Sequence, residues 1–380
     1  MKRSSKDSQI KSKSRVFAEI DLGTIEKNFK AIRKKAGQDV DVLCVVKADA
    51  YGHGMTRVSR RLSECGCFFF GVSSVEEGVR LRRSGIEGKI LILGGLLPSE
   101  DPAQVIEYQL TPVVHEIEGL KRLCEFTKNN KKKIGIHVKF DSGMGRLGFM
   151  PEDANYLLEI FKHERNLFVE GIMSHFSESE KRDSYGLKQI EIVKSIVKLF
   201  SSTGIKPRFV HMANTGALIN YPESYFNMVR IGIGLYGSYP AKELEGSLPI
   251  EEALSLKSIV AFVKEFEAGV YLSYGRTYVT KRRTRIGFVP CGYSDGYRRG
   301  LSNLANVIVG GKMCPVVGRI CMDWTLVDIT DTEAKAGDLV ILLGKERDVK
   351  ITAWDLAEKL GTIPYEIFCG LSSSIKRYYI

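Results

Sequence analysis

No stretch of this sequence stays apolar long enough to cross a membrane. A spanning helix needs about 18 or more consecutive apolar residues, and the longest runs here, such as Cys67 to Val72 and Leu339 to Leu343, are only strand-sized. The first seventeen residues are not expected to act as a secretory signal: they carry Lys2, Arg3, Lys6, Lys11, Lys13 and Arg15 but no apolar block ahead of a small-residue cleavage site. Residues 1–14 read as a disordered basic tail. The eight cysteines form no Cys-x-x-Cys pair, have no histidine at metal-ligand spacing, and lie mostly inside apolar stretches. That argues against a metal site and for reduced thiols in a cytoplasmic protein. Collagen, mucin and coiled-coil biases are absent as well, since 37 glycines and 11 prolines in 380 residues are close to ordinary usage.

What is present, 44% apolar and 9% aromatic residues, is enough to fill a core and excludes disorder for most of the chain. The length suits about two or three domains at roughly 150 residues each. A net charge of +11 raises the question of nucleic acid, but the first seventeen residues, with six basic residues against Asp7, hold five of those charges. Other basic runs, Lys131 to Lys133 and Lys281 to Arg283, sit at turn-like positions without interleaved aromatics, whereas a nucleic-acid footprint gathers its basic residues on one surface. A solvated basic surface is the simpler explanation, and neither nucleic acid nor membrane is expected as a partner.

Between residues 24 and 240, short β-branched runs alternate with segments of helical period. The strand candidates are Val40–Val46, Phe68–Val72, Ile90–Leu93, Leu110–Val114, Ile134–Phe140, Phe168–Met173, Arg208–Met212 and Met228–Ile231. Ala154, Leu157, Leu158 and Phe161 follow the i, i+3, i+4, i+7 spacing of a helix that buries one face, and Val193, Ile196, Val197 and Phe200 repeat it. Eight strands, each followed by a helix, is the count that closes a (β/α)8 barrel; an open doubly wound sheet is the alternative. From 241 to 380 the texture becomes mostly β, with strand-like runs at Ile259–Val263, Arg285–Val289, Val307–Val309, Thr325–Ile329 and Leu339–Leu343 and one short helix at Ala353–Leu360. The segment 15–23 is also strand-like, and because the barrel already has its eight strands it is expected to join the C-terminal sheet.

The chemistry centres on Val45-Val46-Lys47-Ala48-Asp49-Ala50-Tyr51-Gly52-His53-Gly54, which places a lysine at the C-terminal end of the first barrel strand, the end where barrel active sites are built. An amine against an apolar wall has a lowered pKa and becomes a nucleophile toward carbonyls; otherwise Lys47 is a solvated side chain at a strand end. The Gly-rich turn and Tyr51 favour a site.

This decapeptide closely resembles the pyridoxal-phosphate attachment motif of alanine racemases. Seven further segments resemble that family's signatures in the family's order: Lys139 to Gly148, Ser174-His175-Phe176, His211 to Thr215, Val229 to Gly237, Ser273 to Tyr278, Gly292 to Tyr297, and Val317 to Asp323. The likeness runs from about residue 15 to 380. It implies a (β/α)8 barrel carrying pyridoxal 5′-phosphate and a C-terminal β domain that completes the partner's active site in a homodimer. The implied reaction interconverts L-alanine and D-alanine by a two-base mechanism and supplies D-alanine for peptidoglycan.

The resemblance also assigns roles. Lys47 holds the cofactor and acts as the base on one face of the substrate, and Tyr274, from the opposite subunit, is the base on the other. Tyr51, Asn214, Thr215, Gly232 and Ile233 bind the cofactor, with donors gathered around its phosphate dianion. Arg230 faces the pyridine nitrogen, His175 bonds Arg230, and Leu93 backs the ring. Arg146, Met322 and Asp323 bind substrate, and Lys139, carbamylated in many relatives, orients Arg146. An arginine keeps its proton, so the pyridine nitrogen stays unprotonated and the ring is a weaker electron sink, which suits a racemase.

Less distinctive residues read as structural. His53, His115, His137 and His163 are expected to be ordinary polar or satisfied histidines, His211 a structural residue of the barrel, and Cys321 a packing residue; Tyr293 either shapes the substrate entrance or packs. Ser373 and Ser374 depart from the family pattern, where a tyrosine and an arginine are common, which opens a broader specificity that includes serine. A decarboxylase of the same architecture is a competing function, disfavoured because Arg230 stands where a carboxylate would help. A cofactor carrier built on a lone barrel is disfavoured by the large β region.

Overall fold

The computed structural model describes residues 14–380, so the expected basic tail lies almost wholly outside the described residues. The chain divides into two compact units. One comprises Ile25–Ala50 and Gly54–Ile250; the other comprises the N-terminal segment up to Thr24, Tyr51–His53 and Glu251–Ile380.

The first unit is a closed barrel of eight parallel strands: β2 (Asp41–Val45), β3 (Phe69–Val72), β4 (Lys89–Ile92), β5 (Leu110–Val114), β6 (Ile134–Lys139), β7 (Leu167–Met173), β8 (Phe209–His211) and β9 (Met228–Ile231), with β1 (Val16–Ile20) outside it. Parallel strands covered by helices are buried on both faces, and β3, β5, β8 and β9 are accordingly buried at every residue. The helix Ala154–His163 buries Ala154, Leu157, Leu158 and Phe161, the stripe its spacing dictates.

One expectation is corrected here. No α-helix directly follows β9; a 3₁₀ turn, Ile233–Tyr236, takes that place, flanked by Gly232 and Gly237. Glycines at Gly232, Gly234 and Gly237 weaken a regular helix. The 15-residue helix Leu22–Ala36 instead precedes β2, and its buried Asn28 donates to the Leu235 carbonyl at 3.0 Å, tying it to that turn.

The second unit is mainly β. β1 pairs antiparallel with Leu254–Ile259 and parallel with Lys376–Tyr379. It thereby lies inside a seven-stranded sheet, beside which stand a three-stranded and a two-stranded sheet. The run Ile259–Val263 is not one strand. One strand ends at Ile259 and the next begins at Phe262, because Val260 N–H bonds Asp338 O and Ala261 N–H bonds Phe288 O, both at 2.8 Å, as the chain passes between sheets. A second helix, Pro364–Cys369, accompanies Ala353–Leu360. At six residues it is too short to show a period, and Pro364 fits because the first helical position needs no N–H donor.

Candidate active site

Lys47 follows β2 directly and opens an unusual turn. Ala48, Asp49, Ala50 and Tyr51 all have φ between 52° and 56°, a left-handed stretch of four side-chain-bearing residues. Each such residue costs roughly 1–2 kcal/mol relative to the right-handed form, so the turn needs outside support. The helix Val75–Arg83 provides it: Glu77 accepts from the Ala48 N–H and the Ser73 N–H, both at 2.7 Å, and Arg80 bonds Asp49 Oδ1 at 2.8 Å. That Asp49 oxygen also caps Met55 N–H at 3.0 Å, at the start of the next helix.

Four cationic side chains meet at this end of the barrel. Burial lowers the Lys139 ammonium to a pKa of about 8, with Arg230, Arg146 and Lys47 adding to the effect and Asp141 opposing it. His175 is held well below its ordinary pKa first by burial and then by Arg230, Lys139, Arg146 and Lys47. Those shared influences gather Lys47, Lys139, Arg146, His175 and Arg230 into one field. Arg146 is placed by the loop after β6, which folds around Asp141. The Asp141 carboxylate accepts from Gly143 N–H (2.8 Å), Met144 N–H (2.7 Å) and Arg146 N–H (2.8 Å). Burial disfavours that charge, but these backbone donors more than offset it and hold the Asp141 carboxyl below the usual range. A side chain at Gly148 would run into the Asp141 backbone nitrogen at 2.5 Å, so the loop closes only over a glycine.

Arg230, on β9, is buried and fixed from several sides. Nη2 donates to Ser174 O (2.7 Å), Met212 O (3.0 Å) and His175 Nδ1 (3.0 Å), and Nη1 to His211 O and His211 Nδ1 (both 2.9 Å). These five contacts occupy both terminal nitrogens and leave Nε–H as the remaining donor. Burial brings Arg230 down to about 9, still a cation near neutrality. Leu93 lies over Gly71, where a Cβ would sit 2.9 Å from the leucine Cδ1. The Asn214 side chain caps the helix Thr215–Asn220 by accepting from Ala217 N–H at 3.0 Å, and Thr215 Oγ1 accepts from Gly234 N–H at 3.3 Å. That contact brings the Gly232-Ile233 turn to the start of the Thr215 helix; the first N–H groups of such turns have no partner within the turn.

The barrel unit thus assembles Lys47, Leu93, Lys139, Arg146, His175, Asn214, Thr215, Arg230, Gly232 and Ile233. Tyr51, Tyr274, Met322 and Asp323 belong to the other unit. There Tyr51 is buried with its ring centroid 5.8 Å from Tyr365, and burial raises its pKa. Tyr274 is 70% and Met322 55% exposed. Their loops are knitted together: Ser273 Oγ donates to Arg319 O at 2.6 Å, and Ser294 Oγ bonds Met322 O at 2.9 Å and Asp323 Oδ1 at 3.0 Å. In the closing segment, the Ser372 and Ser374 hydroxyls pair at 2.8 Å. Sequence reasoning passed over Asp141, Ser174 and the bonds of His211. Asp141 is the one with a visible signal, an Asp before a Gly-rich loop.

Fold and site together define a protein with a closed parallel barrel whose strand ends gather Lys47, Lys139, Arg146 and Arg230 in one region. The chain belongs to the alanine racemase family: residues 20–240 match "Alanine racemase, N-terminal domain" and 253–379 match "Alanine racemase, C-terminal domain". It is 42% identical over 369 residues to the alanine racemase of Clostridium perfringens strain SM101, covering 96% of this chain and 95% of that one. With alanine racemase 2 of Caldanaerobacter subterraneus subsp. tengcongensis it is 40% identical over 365 residues, or 95% and 94% of the two chains. Among solved structures, the alanine racemase of D-cycloserine-producing Streptomyces lavendulae superimposes with a TM-score of 0.92 at 32% identity, covering 97% of each chain. The Bacillus anthracis alanine racemase with bound L-Ala-P does so at 0.89 and 34% identity, covering 96% of this chain and 95% of that one. No helix among the described residues is long and apolar enough to cross a membrane.

Proposed function

We propose that this chain interconverts L-alanine and D-alanine with pyridoxal 5′-phosphate as cofactor, as a cytoplasmic homodimer that supplies D-alanine for peptidoglycan. The observation that carries this proposal is the convergence of Lys47 with Lys139, Arg146 and Arg230 at one end of the barrel. Lys139 and Arg230 are buried, Lys47 is half-buried and Arg146 is exposed; with Asp141 the one carboxylate acting on Lys139, this set calls for anionic ligands, and a phosphate-bearing cofactor with an amino acid carboxylate fits it. When bound, the cofactor supplies an aldehyde that joins amines and a ring that draws electrons from the carbon beside them.

In this scheme Lys47 Nζ would hold the cofactor and would move a proton to or from one face of the substrate carbon. Thr215, Asn214 and the backbone of Gly232 and Ile233 would hold the phosphate. Arg230, whose Nε–H is left over from its other contacts, would offer the cofactor ring a donor that keeps its proton at neutral pH, and Leu93 would pack beside the ring. Arg146 takes the substrate carboxylate, and Lys139, alone or as a carbamate, sets its position.

Racemisation needs a proton removed from one face and returned to the other, so a second base is required. Tyr274 Oη of a second copy fills that role, with Met322 and Asp323 of the same copy beside the substrate. Their exposure in the single chain supports this assignment. The test is to add pyridoxal phosphate and either enantiomer of alanine to purified protein and follow the optical activity. Enantiomers have equal free energies in an achiral solvent, so either start should converge on an equal mixture; a steady one-sided composition would reject the racemase assignment.

A further inference from the structure

The hydrogen-bond chain behind Arg230 continues past His211. His211 Nε2 lies 2.7 Å from Nδ1 of His137, on the inner run of β6, and both imidazoles are wholly buried. The direction of every bond follows from one fact: a guanidinium only donates. His211 Nδ1, facing Arg230 Nη1 at 2.9 Å, must therefore accept, which puts the His211 proton on Nε2. That proton is donated to His137 Nδ1, which puts the His137 proton on its own Nε2. Burial and the nearby cations disfavour protonation of either ring, so each imidazole holds a single proton, and that of His211 is placed by its two partners together, the arginine donating to Nδ1 and His137 accepting from Nε2.

The fold makes specific provision for the His137 ring. A Cβ at Gly171 would stand 2.4 Å from His137 Nδ1, so the neighbouring strand is bare where the ring lies. On another side the ring stacks on Phe209, centroids 5.9 Å apart and planes 19° apart. Yet His137 Nε2 is buried with no hydrogen-bond partner among the described residues. An unmatched buried N–H is unfavourable, and a leucine would fill the space without it, so packing alone does not account for a histidine here.

We infer that His137 is a positioning residue for Arg230: by accepting from His211 it fixes the His211 tautomer whose Nδ1 receives the guanidinium. With the opposite tautomer, N–H would face N–H and the arginine would lose one of its two imidazole acceptors. The consequence for turnover rests on the functional proposal above, in which Arg230 faces the cofactor ring; the tautomers do not depend on it.

The test is nitrogen-15 NMR of the imidazole rings in the cofactor-loaded protein and, in parallel, in the cofactor-free protein; the chain has only six histidines to assign. In the wild type, His137 and His211 are expected as neutral Nε2–H tautomers. In His137→Asn, the amide oxygen can stand where Nδ1 stood, so the His211 tautomer should survive and kcat stay within about threefold of wild type. His137→Leu should disturb the His211 signal and lower kcat about tenfold or more while KM changes far less. A wild-type His211 found as the Nδ1–H form or as a cation overturns the inference, as does a folded leucine variant with tautomer and kcat intact. If the leucine variant does not fold, the asparagine variant decides, and a lost tautomer there overturns it equally. A protein that binds no pyridoxal phosphate would instead defeat the functional proposal and leave the cofactor-free tautomers to judge the relay.

Discussion

At the scale of single residues, the account stands on Lys47 as the attachment point. Lys47→Ala should abolish covalent, borohydride-reducible retention of pyridoxal phosphate together with racemisation, since the proposed site relies on that one amine for both. Peptide mass mapping after reduction checks this, and cofactor found on another lysine would move the site. Lys139 carries a pH signature. Its pKa falls from 10.5 to about 8 in the folded barrel, so between those values the unfolded chain holds more protons and stability rises with pH. The penalty of the buried ammonium is fully present below about 8 and gone above about 10.5. Lys139→Met should therefore be more stable than wild type at pH 7 by a margin that closes toward pH 10.5; denaturant melts across that range measure it. Residues such as Lys47, Arg146 and Arg230 were legible because each lies in a local motif. The parts played by His137 and His211 were not, because their bond joins positions 74 apart in sequence and depends on barrel closure.

At the scale of elements, β-branched runs marked the barrel strands to within one or two residues, since strands buried on both faces need an unbroken apolar sequence. Legibility failed where tertiary contacts decide the outcome. Val260 and Ala261 look like strand but serve as the passage between sheets, and the turn after the last barrel strand is tied to the helix Leu22–Ala36, which lies ahead of the first. The left-handed turn after Lys47 was also unreadable, because Ala48, Asp49 and Ala50 carry no glycine signal for positive φ. It yields a prediction: Ala48 is exposed with φ 52°, so Ala48→Gly should relieve strain and leave the fold more stable by up to about 1 kcal/mol. A urea midpoint that moves down instead would show that the turn is not strained there.

At the scale of the whole molecule, the +11 charge takes on a different meaning. Some of it lies in the N-terminal segment, but part is concentrated where Lys47, Lys139, Arg146 and Arg230 influence one another. The proposed homodimer makes each site a joint product of two copies. Mixing inactive Lys47→Ala with inactive Tyr274→Phe under conditions of subunit exchange should restore activity, because a heterodimer then holds one site with both Lys47 and Tyr274. Exchange without recovery would place both bases within one chain.

The central claim, that Lys47 and Tyr274 work opposite faces of one substrate carbon, is tested most directly by isotope. Purified protein loaded with pyridoxal phosphate is given L-alanine in deuterated water, and the α-carbon of each enantiomer is examined by mass spectrometry early in the reaction. The account predicts that D-alanine appears with a single deuterium at the α-carbon and that no carbon dioxide is released. D-alanine that retains the original proton would contradict two solvent-exchanging bases, and release of carbon dioxide with the matching amine would make the enzyme a decarboxylase.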